Sequence, residues 1–238
     1  MTKSIYKQLF IAASLLAVSF VSLTAHAQSS VWKVSKGNDH LFIGGTVHIL
    51  PPSEFPLPKE FEQAYKESDS IVLEAKLPDA SDAEFQMSMM QQMTYGNGKT
   101  ISSFLTPKTQ QQLNDYVSSL GVNLAMFEHF KPGFLVTMLA LLEAKKAQLS
   151  GEGVDIFYSK QANKDKKNIA YLESAEFQMN MIADMGIGDE EHFIKSNIEQ
   201  MKDFKAMFTG LLKAWREGDD KQLHKLAIIP MKEDPKTY

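Results

Sequence analysis

Three ionisable side chains each stand at the end of a short apolar, β-prone run. His48 closes Leu41-Phe42-Ile43-Gly44-Gly45-Thr46-Val47-His48, Glu74 closes Ile71-Val72-Leu73-Glu74, and Glu173 closes Ile169-Ala170-Tyr171-Leu172-Glu173. In open parallel sheets ligands bind outside the carboxyl ends of the strands, so all three side chains would face one crevice. One imidazole with two carboxylates suits a hard or borderline divalent cation such as Mn²⁺, Zn²⁺ or Co²⁺, and equally a general acid/base arrangement without metal. Glycine lets backbone approach closely, so Gly45-x-x-His48 reads as a strand end presenting an imidazole to a cleft. Spacing alone is served as well by a solvated Glu74 and by Glu173 as a cap on the helix after it. A histidine after a strand is also more often structural than catalytic.

The other candidates carry less chemistry. His129 precedes a Lys-Pro helix start, His192 sits in the first turn of a long helix, and His40 and His224 read as solvent-facing. Phe85, Met87, Met89, Met90 and Met93 make a methionine-rich helix. Thioethers bind Cu(I), but flexible apolar packing or a lid over a greasy peptide groove suits this helix better. The stretch Tyr95-Gly96-Asn97-Gly98-Lys99 lacks the spacing of a phosphate loop, and no G-x-S-x-G element offers a serine nucleophile. With no cysteine, the chain has no disulfide, no thiolate ligand and no lipidated cysteine.

The elements that must position the three side chains are legible in outline. Val31 to Val34 and Leu41 to Val47 are strands joined at Gly37-Asn38-Asp39, which suits a hairpin turn. Pro58 opens a helix carrying Phe61, Ala64 and Tyr65, and Ser68-Asp69-Ser70 ends it before the run to Glu74. A right-handed crossover then makes the strands leading to His48 and Glu74 parallel near neighbours. The middle is helical: Thr106-Pro107 is a cap and first-turn pair, Pro132 opens another helix, and a third runs from about Val154 to Lys164. A long helix is expected from Asp189 to about Glu217, with Ile194, Ile198, Met201, Phe204, Phe208, Leu211 and Trp215 on one core-facing stripe. The fold class expected is α/β, a small mostly parallel sheet with a large helical insertion.

Lys3 and Lys7 precede an apolar stretch from Leu9 to Leu23, and Ala25-His26-Ala27 supplies the small residues a signal peptidase needs. Residues 1–27 are therefore expected to leave as a signal peptide, with cleavage after Ala27. Residues 28–238 then form one domain, periplasmic or secreted and not a lipoprotein. About 210 residues bury one sizeable core, and 44% hydrophobic with 23% charged residues is ordinary for a globular domain. A net charge of -4 with interspersed signs provides no basic stripe, which argues against nucleic acid and, after leader cleavage, against a membrane surface.

Gly45-Thr46-Val47-His48 with Ile49-Leu50-Pro51, then Val72-Leu73-Glu74, Lys131-Pro132, Gly153-Val154-Asp155, and Leu172-Glu173-Ser174 with Gln178 occur in an order that resembles the TraB/GumN family, which includes the Tiki metalloproteases. The resemblance runs from about Val31 to the C-terminus. It implies an α/β fold of the erythromycin-esterase-like type and, for Tiki members, peptide hydrolysis aided by Mn²⁺ or Co²⁺. Residue by residue, His48 matches the first G-x-x-H histidine, and Glu74 and Glu173 match the acidic positions. The metal ligands implied are His48, Glu74 and Glu173, with a glutamate as ligand or general base.

Family members continue beyond the position of Pro230-Met231-Lys232-Glu233-Asp234 into an Arg-Asn segment and a final strand with a second G-x-x-H, whereas this chain ends at Tyr238. The expectation is a fragment, or a short form that binds without turning over, with an open sheet edge where a strand is lacking. Two functions follow. One is an exported metal-dependent, metalloprotease-like hydrolase acting on a peptide or protein substrate. The other is a non-catalytic periplasmic protein that binds a peptide or a polysaccharide-related partner.

Overall fold

Around Gly37-Asn38 the chain turns back on itself. In the computed structural model, which describes residues 29–76 and 81–233, β1 (Val31–Lys36) pairs antiparallel with β2 (Asp39–Gly44). Lys36 stands opposite Asp39 and Val31 opposite Gly44, with Gly37 at φ 63 in the left-handed region that a two-residue hairpin turn requires. The expected leader, residues 1–27, lies outside the described residues. β2 ends at Gly44, so His48 stands on the loop after the strand.

Helix α1 (Lys59–Glu67) leads into β3 (Ser70–Ala75). Four helices follow: α2 (Ala83–Met93), α3 (Pro107–Ser119), α4 (Pro132–Lys146) and α5 (Val154–Asp165). The chain then returns as β4 (Asn168–Glu173), parallel to β3 with Ser70 opposite Asn168 and Ala75 opposite Glu173. Lys167, just before β4, donates to the carbonyls of Tyr65 and Ser68 at the end of α1, and its ammonium lies 4.2 Å over the Tyr65 ring. A cation on the last carbonyls of a helix is electrostatically favoured, and here it also locks β4 beside β3.

The crossover does not make β2 and β3 hydrogen-bonded neighbours, contrary to the sequence expectation. Among the described residues β2 pairs with β1 alone and β3 with β4 alone, so the strands form one antiparallel and one parallel ladder. Handedness dictates how a crossover turns and leaves open which strand lies next. The architecture is α/β, dominated by helix, with the expected large helical insertion.

α6 (Ala175–Asp184) follows β4, capped by Ser174, whose side chain accepts from the Phe177 N–H. Ser174 takes the capping role that Glu173 was an alternative for. The single helix expected from Asp189 is two, α7 (Glu190–Met201) and α8 (Phe204–Glu217). Each half serves a different core. Ile194, Ile198 and Met201 pack with Ile101, Leu113, Val117, Leu135 and Leu139 of the insertion. Leu212 and Trp215 pack with Leu50, Phe61, Val154 and Tyr158 beneath the strands. A straight helix cannot aim one stripe at both, and the break at Lys202-Asp203 redirects it. A short helical run from Asp220 to Glu233 completes the described chain.

The methionine-rich α2 packs on α6 through Met93 and Met179, both buried, while Met87 and Met90 remain exposed. Apolar packing is thus one use of this helix. No helix among the described residues is long and apolar enough to cross a membrane.

Candidate functional site

The loop carrying His48 is clamped from two sides. Gly45 N–H donates to the Ser30 carbonyl at 2.7 Å, the Trp215 indole Nε1–H donates to the Gly45 carbonyl at 2.7 Å, and the Ser30 hydroxyl donates to the Trp215 carbonyl at 2.7 Å. Because Trp215 is 3% exposed, this ring of bonds is sheltered from competing water. On the other side, Val154 N–H at the start of α5 donates to the Val47 carbonyl at 3.0 Å. A Cβ on Gly153 would stand 2.6 Å from the His48 carbonyl oxygen and 2.6 Å from Asp155 Oδ1. Only glycine lets the first turn of α5 lie this close to the histidine backbone.

That contact brings Asp155 under the imidazole. Asp155 Oδ1 lies 3.3 Å from His48 Nδ1, and Glu74 Oε2 lies 3.4 Å from Nε2. The Asp155 carboxylate is largely buried, and the imidazole faces it as its ion-pair partner. The contact with Asp155 is the largest influence on His48. It raises the imidazole's pKa, partial burial opposes it, and the charges of Asp155 and Glu74 add to the rise. Burial pushes the Asp155 carboxyl up, but His48 and the backbone N–H groups of Asp155 and Ile156 at the helix N-terminus outweigh it and hold the carboxyl below its ordinary range. Both directions favour an imidazolium held between two carboxylates.

Glu74 reaches the site from the carboxyl end of β3. Thr46 Oγ1 donates to Glu74 Oε1 at 3.5 Å, and Gln178 Nε2 bridges Glu173 Oε1 at 2.8 Å and Glu74 Oε2 at 3.5 Å. Of the three expected residues, His48 and Glu74 therefore meet directly, and Glu173 joins through Gln178. Asp155 and Gln178 lie within the ordered motifs of the sequence but not among its three strand-end residues. For Asp155 the local signal is an acid two residues after Gly151-Glu152-Gly153, which an ordinary first-turn acid would also produce.

The donor set tests the expected metal. His48 Nε2 and Glu74 Oε2, 3.4 Å apart, are at the separation of two ligands sharing one cation at about 2.1 Å each. Glu173 is held by Gln178 and Asp155 lies at the other ring nitrogen. Among the described residues no group of three His, Cys, Asp or Glu side chains could hold a metal ion. Two donors fall short of the three protein ligands of a catalytic zinc-type site, so the described residues by themselves do not fit a resident metal.

Beside the site a cleft of about 490 Å³ opens between β2 and β3, lined at one end by Thr46 and Asp155. A family model described as the TraB/PrgY/gumN family matches residues 30–238. No curated protein and no solved structure matches the chain.

Proposed function

The chain belongs to the TraB/PrgY/gumN family, and from that premise we propose that it is an exported hydrolase that cleaves peptides by acid/base chemistry at His48 and Glu74. The observation that carries the reading is one imidazole whose two nitrogens face two carboxylates, Asp155 at 3.3 Å and Glu74 at 3.4 Å. Asp155 orients the ring and keeps it protonated. Nε2 then carries a proton to give, and Glu74, 46% exposed, is open to water.

In the proposed reaction Glu74 accepts a proton from a water whose oxygen attacks the peptide carbonyl carbon. As the C–N bond breaks, the leaving amine takes the proton on His48 Nε2. The proton on Glu74 passes to the imidazole beside it and restores both groups. Export rests on the leader expected in residues 1–27.

The test is a peptide-library digest by the protein after leader removal, read by mass spectrometry, with His48→Ala and Glu74→Gln beside it. Loss of cleavage by about 10²-fold or more in each variant supports the reading. Cleavage that persists in His48→Ala overturns it. Cleavage abolished by a chelator and restored by Mn²⁺ or Co²⁺ would return the metal-dependent form and overturn the metal-free one.

A further inference from the structure

Glu173 reaches the site without touching His48, and the register of the parallel ladder gives the reason. Glu173 stands opposite Ala75, one step beyond Glu74. Successive side chains of a strand point to opposite faces, so Glu173 and Glu74 leave the sheet on different sides. Gln178, close to the start of α6, joins them. Helical side chains lean toward the N-terminus of their helix, which returns this one to the strand ends. Its amide nitrogen carries two N–H donors and meets Glu173 Oε1 at 2.8 Å and Glu74 Oε2 at 3.5 Å. The short bond to Glu173 fixes the amide, and the second N–H is left for the Glu74 oxygen that faces His48 Nε2 at 3.4 Å. Thr46 Oγ1 stands 3.5 Å from the other Glu74 oxygen.

The sequence around Gln178 occurs twice. Ala83-Glu84-Phe85-Gln86-Met87 opens α2 as Ala175-Glu176-Phe177-Gln178-Met179 opens α6, and each helix begins after a capping side chain, Asp82 or Ser174. Ser174 follows directly on Glu173 at the end of β4, whereas Asp82 stands seven residues beyond the end of β3 at Ala75. Gln86 is accordingly exposed, while Gln178 is half-buried between two carboxylates. Placement, and not the pentapeptide itself, makes the bridge. We propose that Gln178 is a positioning residue, anchored by Glu173, that holds Glu74 against His48 Nε2. Glu173 then acts on the site through this amide and not as an acid, base or ligand of its own. The proposal rests on the reading of Glu74 as base and His48 as acid: Glu74 must face the ring to hand on the proton it takes from water.

The test compares Gln178→Leu, the exchange Glu173→Gln with Gln178→Glu, and Gln86→Leu as control, all in the leader-free protein. The exchange keeps one amide and one carboxylate at positions 173 and 178 but turns the carboxylate toward Glu74. In the wild type, Glu74→Gln should move one of the two side-chain N–H signals of Gln178 in the NMR spectrum. In Gln178→Leu and in the exchange, relaxation of the Glu74 γ-methylene should show a loss of order while the melting temperature is kept. Cleavage of the peptide found in the library digest should fall about ten-fold in kcat with KM within about two-fold. Gln86→Leu should match the wild type throughout. Unchanged Glu74 order in both Gln178 variants overturns the proposal, as does an equal loss of kcat in Gln86→Leu. A lowered melting temperature with Glu74 order intact makes Gln178 a structural residue and overturns it too. Loss of Glu74 order in a protein whose wild type cleaves no peptide sustains the positioning role and sinks the hydrolase reading. Cleavage that survives the loss of Glu74 order does the reverse.

Discussion

Replacing Gly153 with alanine should damage stability and the site together. The added Cβ would stand 2.6 Å from the His48 carbonyl oxygen and from Asp155 Oδ1, and 2.7 Å from the His48 carbonyl carbon. Ordinary contact begins at about 3.4 Å, so His48 and the start of α5 must part by about 0.8 Å. Backbone atoms on one side leave little flexible to yield. Overpacking of this kind costs about 1–3 kcal/mol, which for a domain of this size lowers the melting temperature by roughly 2–12 °C. The same displacement opens the 3.3 Å contact of His48 with Asp155, so the imidazole's pKa should fall toward its ordinary value. Scanning fluorimetry and a ¹H–¹³C titration of the histidine ring signals read the two effects. Gly96→Ala is the control, because nothing lies within 4 Å of a Cβ there; its stability should change by about 0.5 kcal/mol or less. A Gly153→Ala protein with unchanged melting temperature and unchanged His48 titration would refute the claim that this glycine sets the site.

Asp155→Asn tests the electrostatics. His48 has a raised folded pKa, so its protonated form, and the stability that form contributes, is complete below the unfolded value of about 6.5 and is lost as pH rises through the folded value. If His48 is the acid, the alkaline limb of the kcat/KM profile lies above about 6.5, and Asp155→Asn moves it down; a limb that stays put counts against the assignment. Trp215→Phe leaves the Gly45 carbonyl without its donor, which should cost about 1–3 kcal/mol in chemical denaturation and speed amide exchange over residues 45–48. Leu113→Ala, at a fully buried position in the insertion, should cost about 2–5 kcal/mol and leave the His48 titration unmoved, since the two cores share no buried residue.

What could be read from the chain depended on how local the determinant was. The hairpin at Gly37-Asn38, the Thr106-Pro107 start of α3 and the strands bearing Glu74 and Glu173 rest on turn chemistry, capping and short β-prone runs. Each is decided within a few residues. The partner of β3 is decided by tertiary contacts, through Lys167 on the end of α1, and no pattern near Ser70 announces it. The break at Lys202-Asp203 was hidden for the converse reason. Ile194 to Trp215 keeps one helical period, and only the existence of two cores requires the stripe to be redirected. For the site, the strand-end rule places Glu74, whereas His48 lies four residues beyond the end of β2, and the two are brought together by tertiary contacts. Asp155 needed the close approach of α5 to the His48 loop, a contact across more than a hundred residues that shows in sequence only as two glycines.

The same geometry divides the site into a firm half and a loose one. The loop carrying His48 is held by bonds from Gly45 to Ser30 and the Trp215 indole, by the bond between Val154 and Val47, and by a packed glycine, so its backbone is placed by the core beneath the hairpin. Glu74 belongs to the β3–β4 ladder, and its contacts with His48, Thr46 and Gln178 are side-chain contacts of 3.4–3.5 Å at an exposed position. Exposed ion pairs contribute about 0–1 kcal/mol, too little to fix the spacing of acid and base by themselves. The shared floor of Phe61, Ile71, Val154 and Tyr158 sets their approximate distance, while among the described residues the two ladders share no hydrogen-bond register.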